Sequence, residues 1–338
     1  MELVPVVDQN NIPLMPTRDD RVRKWIRSGK ATPFWKKGVF CVRLNVEPSN
    51  RIKQDVCVGI DTGIKREAFT VKSASHTYLN VLTETVDWVK DAVEIRRIMR
   101  RNRRFRKTRY REARFNNRIK SKLPPSVKAR WQWKLNILNW LSKMFPITHV
   151  VVEDVCAKSK KYQKKWNKSF SPLEVGKNWF YNKICEKYTL FTKQGYETKQ
   201  LRDELGLKKS SSKLADEFEC HNVDSWILSN WCVGGHVVPD NKKLLKIIPL
   251  RFHRRQLHYF QFSKGGIRKL YGGTRSLGFK RGSLVKHKKY GTNVYVGGTS
   301  KGRITLHSID SGNRLCRNAK VEDCVFKTYL GWRVVSSS

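Results

Sequence analysis

Two apolar runs that each end on an acidic residue place the strongest constraint on how this chain folds. The first, VCVGID, ends at Asp61 and leads through Thr62-Gly63 into two further strand-like runs, EAFTVKS and HTYLNVLTETV. The second, VVVED, brings Glu153 to the end of an equally apolar run. Short apolar runs bounded by turn residues are typical of buried strands. The sequence therefore predicts an α/β domain that opens with an antiparallel meander.

The charge of the chain indicates what it binds. Lys and Arg number 70 and Asp and Glu number 28, which gives a formal net charge of +42 over 338 residues. Repulsion of this size weakens a compact fold unless a partner neutralises it. Nucleic acid is the natural polyanion, and charge alone does not distinguish RNA from DNA.

Residues 94–122 are rich in arginine, contain neither Pro nor Gly, and are predicted to form a helix. Arginines on every face prevent this helix from packing against an ordinary core. A solvated charged helix is the alternative, but like charges three and four residues apart destabilise an isolated helix. Because guanidinium groups bind phosphates in a bidentate manner, we expect nucleic-acid contacts. The arginines concerned are Arg96, Arg97, Arg100, Arg101, Arg103, Arg104, Arg106, Arg109, Arg111, Arg114 and Arg118.

A third acidic position joins the two strand-end carboxylates. In the run CHNVDSWIL, His221 and Asp224 are three residues apart, which places them on one face of a helix. Singly, such an acid is commonly a turn or cap residue, and such a histidine is commonly structural. Together, Asp61, Glu153 and Asp224 could hold two divalent cations for cleavage of a phosphodiester. His221 could then act as a general base or as a ligand beside the metal.

Membrane and export signals are not predicted. No apolar stretch approaches the roughly 20 residues that span a bilayer, and the run MELVPVVDQNNIPLMP lacks the apolar core of a signal peptide. The eight cysteines are scattered without a C-x-x-C pair, so reduced thiols are expected. These features predict a cytoplasmic protein.

Several motifs, in order along the chain, resemble the IscB/IsrB family of transposon-encoded, RNA-guided nucleases. PLMP at 13–16, followed by a basic helix and GKATPFWKKGVFCVRL, resembles the N-terminal domain of that family. VGIDTG, VVVED and HNVDSWIL resemble the three motifs of its split RuvC nuclease, and the arginine-rich segment resembles its bridge helix. The run YGGTRSLGFKRGSLVKHKKYGTNVYVGGTSKGRITL resembles its C-terminal module.

One departure from IscB selects a branch of the family. IscB carries a histidine-dependent HNH nuclease domain between the second and third motifs. Residues 154–220 of this chain number 67 and contain no histidine. The resemblance is therefore to IsrB, the RuvC-only branch, and it implies a nickase that cuts the displaced, non-target DNA strand.

The resemblance also implies a fold, a site and partners. The expected architecture is an RNase H-like (RuvC) α/β core split by the bridge helix, between a small PLMP domain and a β-rich C-terminal module that interacts with the target-adjacent motif. The expected bounds are 1–54 for the PLMP domain, 55–93 for the first RuvC segment, 94–122 for the bridge helix, 123–235 for the second and third RuvC segments, and 236–338 for the C-terminal module. Asp61, Glu153, His221 and Asp224 become the catalytic residues, with two Mg²⁺ ions that Mn²⁺ can replace. The expected partners are a long structured guide RNA (omega RNA) and double-stranded DNA with a flanking motif, with the protein a monomer in the ribonucleoprotein.

Two other functions fit parts of the pattern. An unguided nuclease of the same fold, such as a transposase or junction resolvase, would use the same acids. A non-catalytic RNA-binding protein would keep them for structural reasons, although the complete set of metal-binding residue types argues against this.

Overall fold

The computed structural model describes residues 3–105, 123, 125–155, 172–212, 215–250, 260–261, 266–267, 275, 277–329 and 331–335. Within the arginine-rich segment, Arg106, Arg109, Arg111, Arg114 and Arg118 lie outside the described residues. The chain divides into two compact units, 1–245 and 246–338. No helix among the described residues combines the length and the apolar character needed to cross a bilayer.

The N-terminal part of the first unit is a small sheet with one helix. Its elements are β1 (Leu3–Val7), β2 (Pro13–Arg18), α1 (Asp19–Arg27), β3 (Ala31–Lys36) and β4 (Val39–Leu44). The strands lie in the order β2-β1-β4-β3. Val22 of α1 and Val42 of β4 are fully buried and belong to one apolar cluster, so this part has its own core. The basic helix expected after PLMP is α1.

The rest of the first unit is a mixed α/β sheet. Its strands are β5 (Val56–Asp61), β6 (Arg66–Ser73), β7 (Thr77–Glu84), β8 (His149–Asp154) and β9 (Thr189–Gln194). Its helices are α2 (Trp88–Arg104), α3 (Pro125–Leu141), α4 (Pro172–Cys185), α5 (Gly195–Glu204) and α6 (Phe218–Val233). The strands lie in the order β7-β6-β5-β8-β9, with β5, β6 and β7 antiparallel and β5, β8 and β9 parallel. The predicted meander and the α/β class are therefore confirmed.

Helix α6 packs closely on β5 because a glycine removes the side chain between them. Alternate residues of a strand face the same side, and Gly59 of β5 faces α6. A Cβ atom built on Gly59 would lie 1.9 Å from the carbonyl oxygen of Ser225. The Thr70 and Ser225 hydroxyls are 2.8 Å apart, and the Trp226 indole donates to the Thr77 hydroxyl at 2.9 Å. These buried hydrogen bonds fix the position of α6 on the sheet.

The opposite face of the sheet is covered by α3. Glu67 of β6 forms a buried ion pair with Lys134 of α3, and their side chains are only 2% and 7% exposed. The Lys134 ammonium also lies 4.8 Å from the centre of the Trp131 ring. A buried ion pair with this additional contact sets the position of α3 on the sheet more than it adds stability.

A buried lysine holds the C-terminal end of α6. Lys72 of β6 has no exposed surface, and its ammonium donates to the carbonyl oxygens of Ser73 and Gly234. Gly234 directly follows the last residue of α6 and caps it. Burial lowers the pKa of Lys72 to about 8, while Asp240 and Cys57 oppose this effect. The charged form is therefore less favourable in the folded protein than in water.

The second unit is built from strands in its described part. They are β10 (Leu244–Pro249), β11 (Phe260–Gln261), β12 (Gly266–Ile267), β13 (Ser283–His287), β14 (Gly291–Ser300), β15 (Arg303–Ser308), β16 (Arg314–Ala319), β17 (Cys324–Tyr329) and β18 (Trp332–Val335). One antiparallel sheet has the order β16-β15-β14-β13-β17, and its core includes the buried residues Val285, Val294 and Leu306. Strand β10 pairs with β18, and β11 pairs with β12.

The contact at Gly59 predicts a large effect of a small substitution. Gly59→Ala is expected to lower the free energy of unfolding by at least about 2 kcal/mol, because α6 must move away from β5. Gly298→Ala is the matched control, since a Cβ atom there meets nothing within 4 Å; a change within about 0.5 kcal/mol is expected. Urea unfolding of both variants checks this, and equal stabilities of the two would contradict the packing argument.

Lys72 predicts a specific pH dependence of stability. The folded-state pKa is below the unfolded-state value, so the unfolded chain binds more protons between these two values. Stability of the wild type relative to Lys72→Met should therefore rise as pH increases from about 8 to about 10.5, by on the order of 1–3 kcal/mol. Below pH 8 the difference should be flat. The measurement is denaturant unfolding of the wild type, of Lys72→Met and of the control Lys53→Met, whose lysine is exposed, across this pH range. If the free energies of unfolding of the two variants changed with pH in parallel, the effect of burial would be contradicted.

Candidate active site

The two strand-end carboxylates meet at one edge of the central sheet. Strands β5 and β8 are parallel, with Gly59 opposite Val151 and Ile60 opposite Val152, so both strands deliver their last residues to the same edge. The pleat turns Asp61 and Glu153 toward α6, so the two carboxyl groups lie close enough for the charge of Glu153 to act on Asp61. The Thr62 hydroxyl donates to the Glu153 carbonyl oxygen at 3.2 Å, which joins the two strand ends.

Asp224 reaches the same place from α6. Its side chain is only 5% exposed. Burial, followed by the charge of Glu153, raises the pKa of Asp61 well above its ordinary value, and the charge of Asp224 adds to this. The structure thus brings together three of the four predicted catalytic residues in a space where their charges repel one another.

Two cations that the sequence analysis did not identify offset this repulsion. Arg202 of α5 lies 2.7 Å from Oδ1 of Asp224. Lys209, in the segment between α5 and α6, contacts Oδ2 of Asp224, and its Nζ lies 3.8 Å from Oδ2 of Asp61. Burial opposes the charge on Lys209, but Asp61, Asp224 and Glu153 together raise the pKa of this lysine above its ordinary value. Each oxygen of Asp224 is therefore in contact with a positive charge.

The fourth predicted residue, His221, lies one helical turn before Asp224 on α6. Its Nε2 donates to the Ala215 carbonyl oxygen, with 3.1 Å between the two atoms. Burial, together with the nearby charges of Arg66 and Lys209, lowers the pKa of His221. The ring is therefore neutral at pH 7, and in this tautomer Nδ1 carries the lone pair.

The neighbouring acid in VVVED faces the other side of the sheet. Asp154 accepts hydrogen bonds from the Tyr181 hydroxyl at 2.9 Å and from the Gln194 amide at 2.7 Å, and it lies 2.8 Å from the Lys177 ammonium. These contacts lower the pKa of Asp154 although burial acts against them. Asp154 thus binds residues of α4 and the residue before α5, whereas Glu153 lies on the other face with Asp61 and Asp224.

The donor set at this edge suits a divalent cation. Asp61, Glu153 and Asp224 supply hard oxygen ligands, and they already surround a positive group, the Lys209 ammonium. Among the described residues, no three acidic, histidine or cysteine side chains are gathered as closely as a bound ion requires, so the three carboxylates would have to move closer together to hold one. The chemistry of the three carboxylates fits Mg²⁺ or Mn²⁺, with the Lys209 ammonium in contact with two of them.

Helix α2 is exposed over its arginine-rich part, residues 93–102, whereas Val89 in its first turn is buried. The arginines that lie on α2 are Arg96, Arg97, Arg100, Arg101, Arg103 and Arg104. Even apolar residues of this helix are about half exposed, including Ile95 (49%) and Ile98 (48%). The turns over residues 93–102 therefore do not pack against a core, which is what the distribution of arginines predicts.

Comparison with known proteins gives a family match for the first half of the chain. The family described as "RRXRR protein" matches residues 4–169, just under half of the 338 residues. This span contains Asp61, Glu153 and the run RRNRR at 100–104, and it ends before α6. A search of curated proteins gave no significant match.

Two solved structures are similar to part of this chain. One is RuvC of T. thermophilus in complex with Holliday junction substrate, at 14% identity and a TM-score of 0.26, covering 54% of this chain and 97% of that one. The other is the yeast mitochondrial Holliday junction resolvase Ydc2, at 13% identity and a TM-score of 0.27, covering 54% and 78%.

Proposed function

We propose that the protein is an RNA-guided DNA endonuclease that nicks one strand through a two-metal RuvC site. The observation that carries this proposal is the meeting of Asp61, Glu153 and Asp224 at one edge of the sheet, with His221 one turn away on α6. Such a set of hard ligands is suited to metal-assisted phosphodiester hydrolysis, and a neutral imidazole nearby can serve as a general base. The match of residues 4–169 to RRXRR proteins supports the same assignment.

Each residue has a role that follows from its environment. Asp61, Glu153 and Asp224 would hold two divalent cations, which when bound supply activation of water and stabilisation of the leaving oxygen. The Nδ1 lone pair of the neutral His221 can accept a proton from the attacking water. Gly59 and the hydrogen bonds of α6 keep Asp224 close to Asp61, so the geometry does not depend on the substrate.

The resemblance to the IscB/IsrB family implies the guide RNA, and charge and exposure support a nucleic-acid partner. A protein of +42 with an exposed arginine helix presents guanidinium groups to phosphates, and such contacts position nucleic acid without reading its bases. A guide would supply the sequence specificity that phosphate contacts lack. The resemblance to IsrB, together with the lack of histidine between 154 and 220, favours a cut in the displaced strand alone.

A supercoiled-plasmid assay tests the proposal. With Mg²⁺ and RNA transcribed from the flanking locus and programmed to the plasmid, the protein should convert supercoiled DNA to open circles. Asp61→Ala should reduce nicking by at least 10³-fold and leave RNA binding intact, because it removes a metal ligand outside the phosphate-binding surface. Asp203→Ala, an exposed acid on α5, is the matched control and should nick like the wild type.

The other outcomes of this assay discriminate between the alternatives. Cleavage without RNA would identify an unguided nuclease of the resolvase type. Tight RNA binding without cleavage would identify a non-catalytic RNA-binding protein. A guide-dependent linear product would contradict the nickase assignment, because it requires a second cut.

The arginine helix predicts a change in the salt dependence of RNA binding. Replacing Arg100, Arg103 and Arg104 together by Ala should weaken binding and reduce the slope of log K against log[salt] by up to roughly three. The control removes three exposed charges elsewhere, by changing Lys187, Lys199 and Lys208 to Ala. Filter binding across a salt series measures the slopes for both triple variants. If the two slopes changed equally, the arginine helix would have no special role in RNA binding.

A further inference from the structure

The position of Lys209 raises the question of what it does beside three carboxylates. Its ammonium contacts Oδ2 of Asp224 and lies 3.8 Å from Oδ2 of Asp61. Its charge is also favoured by Glu153. Lys209 thus interacts with all three residues that the proposed function makes metal ligands. An oxygen lone pair directed at an ammonium proton is not available to a metal ion at the same time.

Arg202 and Lys209 differ in how firmly they are held. Arg202 lies on helix α5, its side chain is 15% exposed, and it contacts the other oxygen of Asp224, Oδ1. The Lys209 side chain is 33% exposed and belongs to the segment between the helices. Lysine is a compact, strongly hydrated charge on a flexible stem, which returns to water more readily than a guanidinium. Of the two cations, Lys209 is the one that can leave.

We propose that Lys209 and a divalent cation compete for the carboxylate oxygens of Asp61 and Asp224, so that loading of the site displaces the Lys209 ammonium into solvent. This inference rests on the proposed function, because it takes these carboxylates as metal ligands. Before loading, Lys209 lowers the repulsion among three acids that the fold forces together. After loading, the displaced ammonium is a positive charge beside the reaction site, where it can contact a substrate phosphate.

Competition predicts that removing the charge tightens metal binding. Lys209→Met should bind Mn²⁺ at least roughly ten-fold more tightly than the wild type, because the ion no longer displaces an ammonium. Lys209→Arg keeps the charge, and Lys208→Met removes an exposed charge from the adjacent position; both should bind Mn²⁺ like the wild type. Binding is measured on the full-length chain without RNA, from the EPR signal of free Mn²⁺.

A second measurement follows the ammonium itself. In the wild-type chain, labelling of lysines by an acetylating reagent is quantified by mass spectrometry with and without saturating Mn²⁺. The labelling of Lys209 relative to Lys208 should increase several-fold when Mn²⁺ is bound, because the amine leaves its ion pairs. This measurement needs no variant, so the proposal stays testable if Lys209→Met fails to fold.

Asp61→Asn separates failure of this inference from failure of the proposed function. If Asp61→Asn abolishes Mn²⁺ binding but Lys209→Met binds Mn²⁺ no more tightly than the wild type, the metal site stands and the competition is wrong. Unchanged Lys209 labelling on Mn²⁺ addition would also overturn the competition. If Asp61→Asn leaves Mn²⁺ binding unchanged, the carboxylates are not the metal ligands and both proposals fail.

Discussion

The mutual repulsion of Asp61, Glu153 and Asp224 is the constraint on which the rest of this structure depends. Carboxylates in a poorly solvated space favour protonation, and burial together with Glu153 raises the pKa of Asp61 accordingly. Without the fold, the repulsion among their charges would keep the three acids apart and in solvent. Two parallel strands and a helix prevent this, because each acid is attached to an element whose position is set by packing elsewhere. The cations Arg202 and Lys209 then offset the charge that the fold has concentrated.

Helix α6 contributes most to holding the three acids together. It lies directly on β5 because Gly59 has no side chain, and the buried hydrogen bonds of Ser225 and Trp226 hold it in register with β6 and β7. At the C-terminal end of α6, the Lys72 ammonium donates to the carbonyl oxygen of Gly234, although its burial disfavours the charged form. Polar groups buried with partners specify one arrangement rather than adding much stability. This accounts for a helix that is buried along most of its length and yet is rich in polar residues. Its polar contacts place Asp224 in one position, which a purely apolar face would not specify as precisely.

Sequence patterns could predict the elements that carry the site, but not all of its contacts. The apolar runs and their acids predicted β5 and β8, and the spacing of His221 and Asp224 predicted one face of a helix. The choice of Glu153 over Asp154 could not be made from VVVED alone, because one step along a strand reverses the face. Lys209 lies in the run GLKKSSSK, which is typical of a solvated loop. Its contact with residues 15 and 148 positions away is a product of the tertiary fold, so no local pattern encodes it. For the same reason Gly59 gives no sign in the sequence that a helix more than 160 residues later touches it.

The contrast between a strongly basic chain and an acidic site has a consequence for catalysis. The net charge of +42 draws a polyanion toward the whole surface. At the carboxylate cluster three acids face two nearby cations, Arg202 and Lys209, so the local charge does not follow the net charge of the chain. A phosphodiester that arrives there meets carboxylate oxygens, so attraction to the protein does not by itself bring a phosphate to the reacting position. In the proposed function, divalent cations held by these acids would favour a phosphate there, because each would bring two positive charges where one ammonium brings a single charge. In the proposed function, the acids would thus make cleavage conditional on metal, while the arginines and lysines would make binding independent of it.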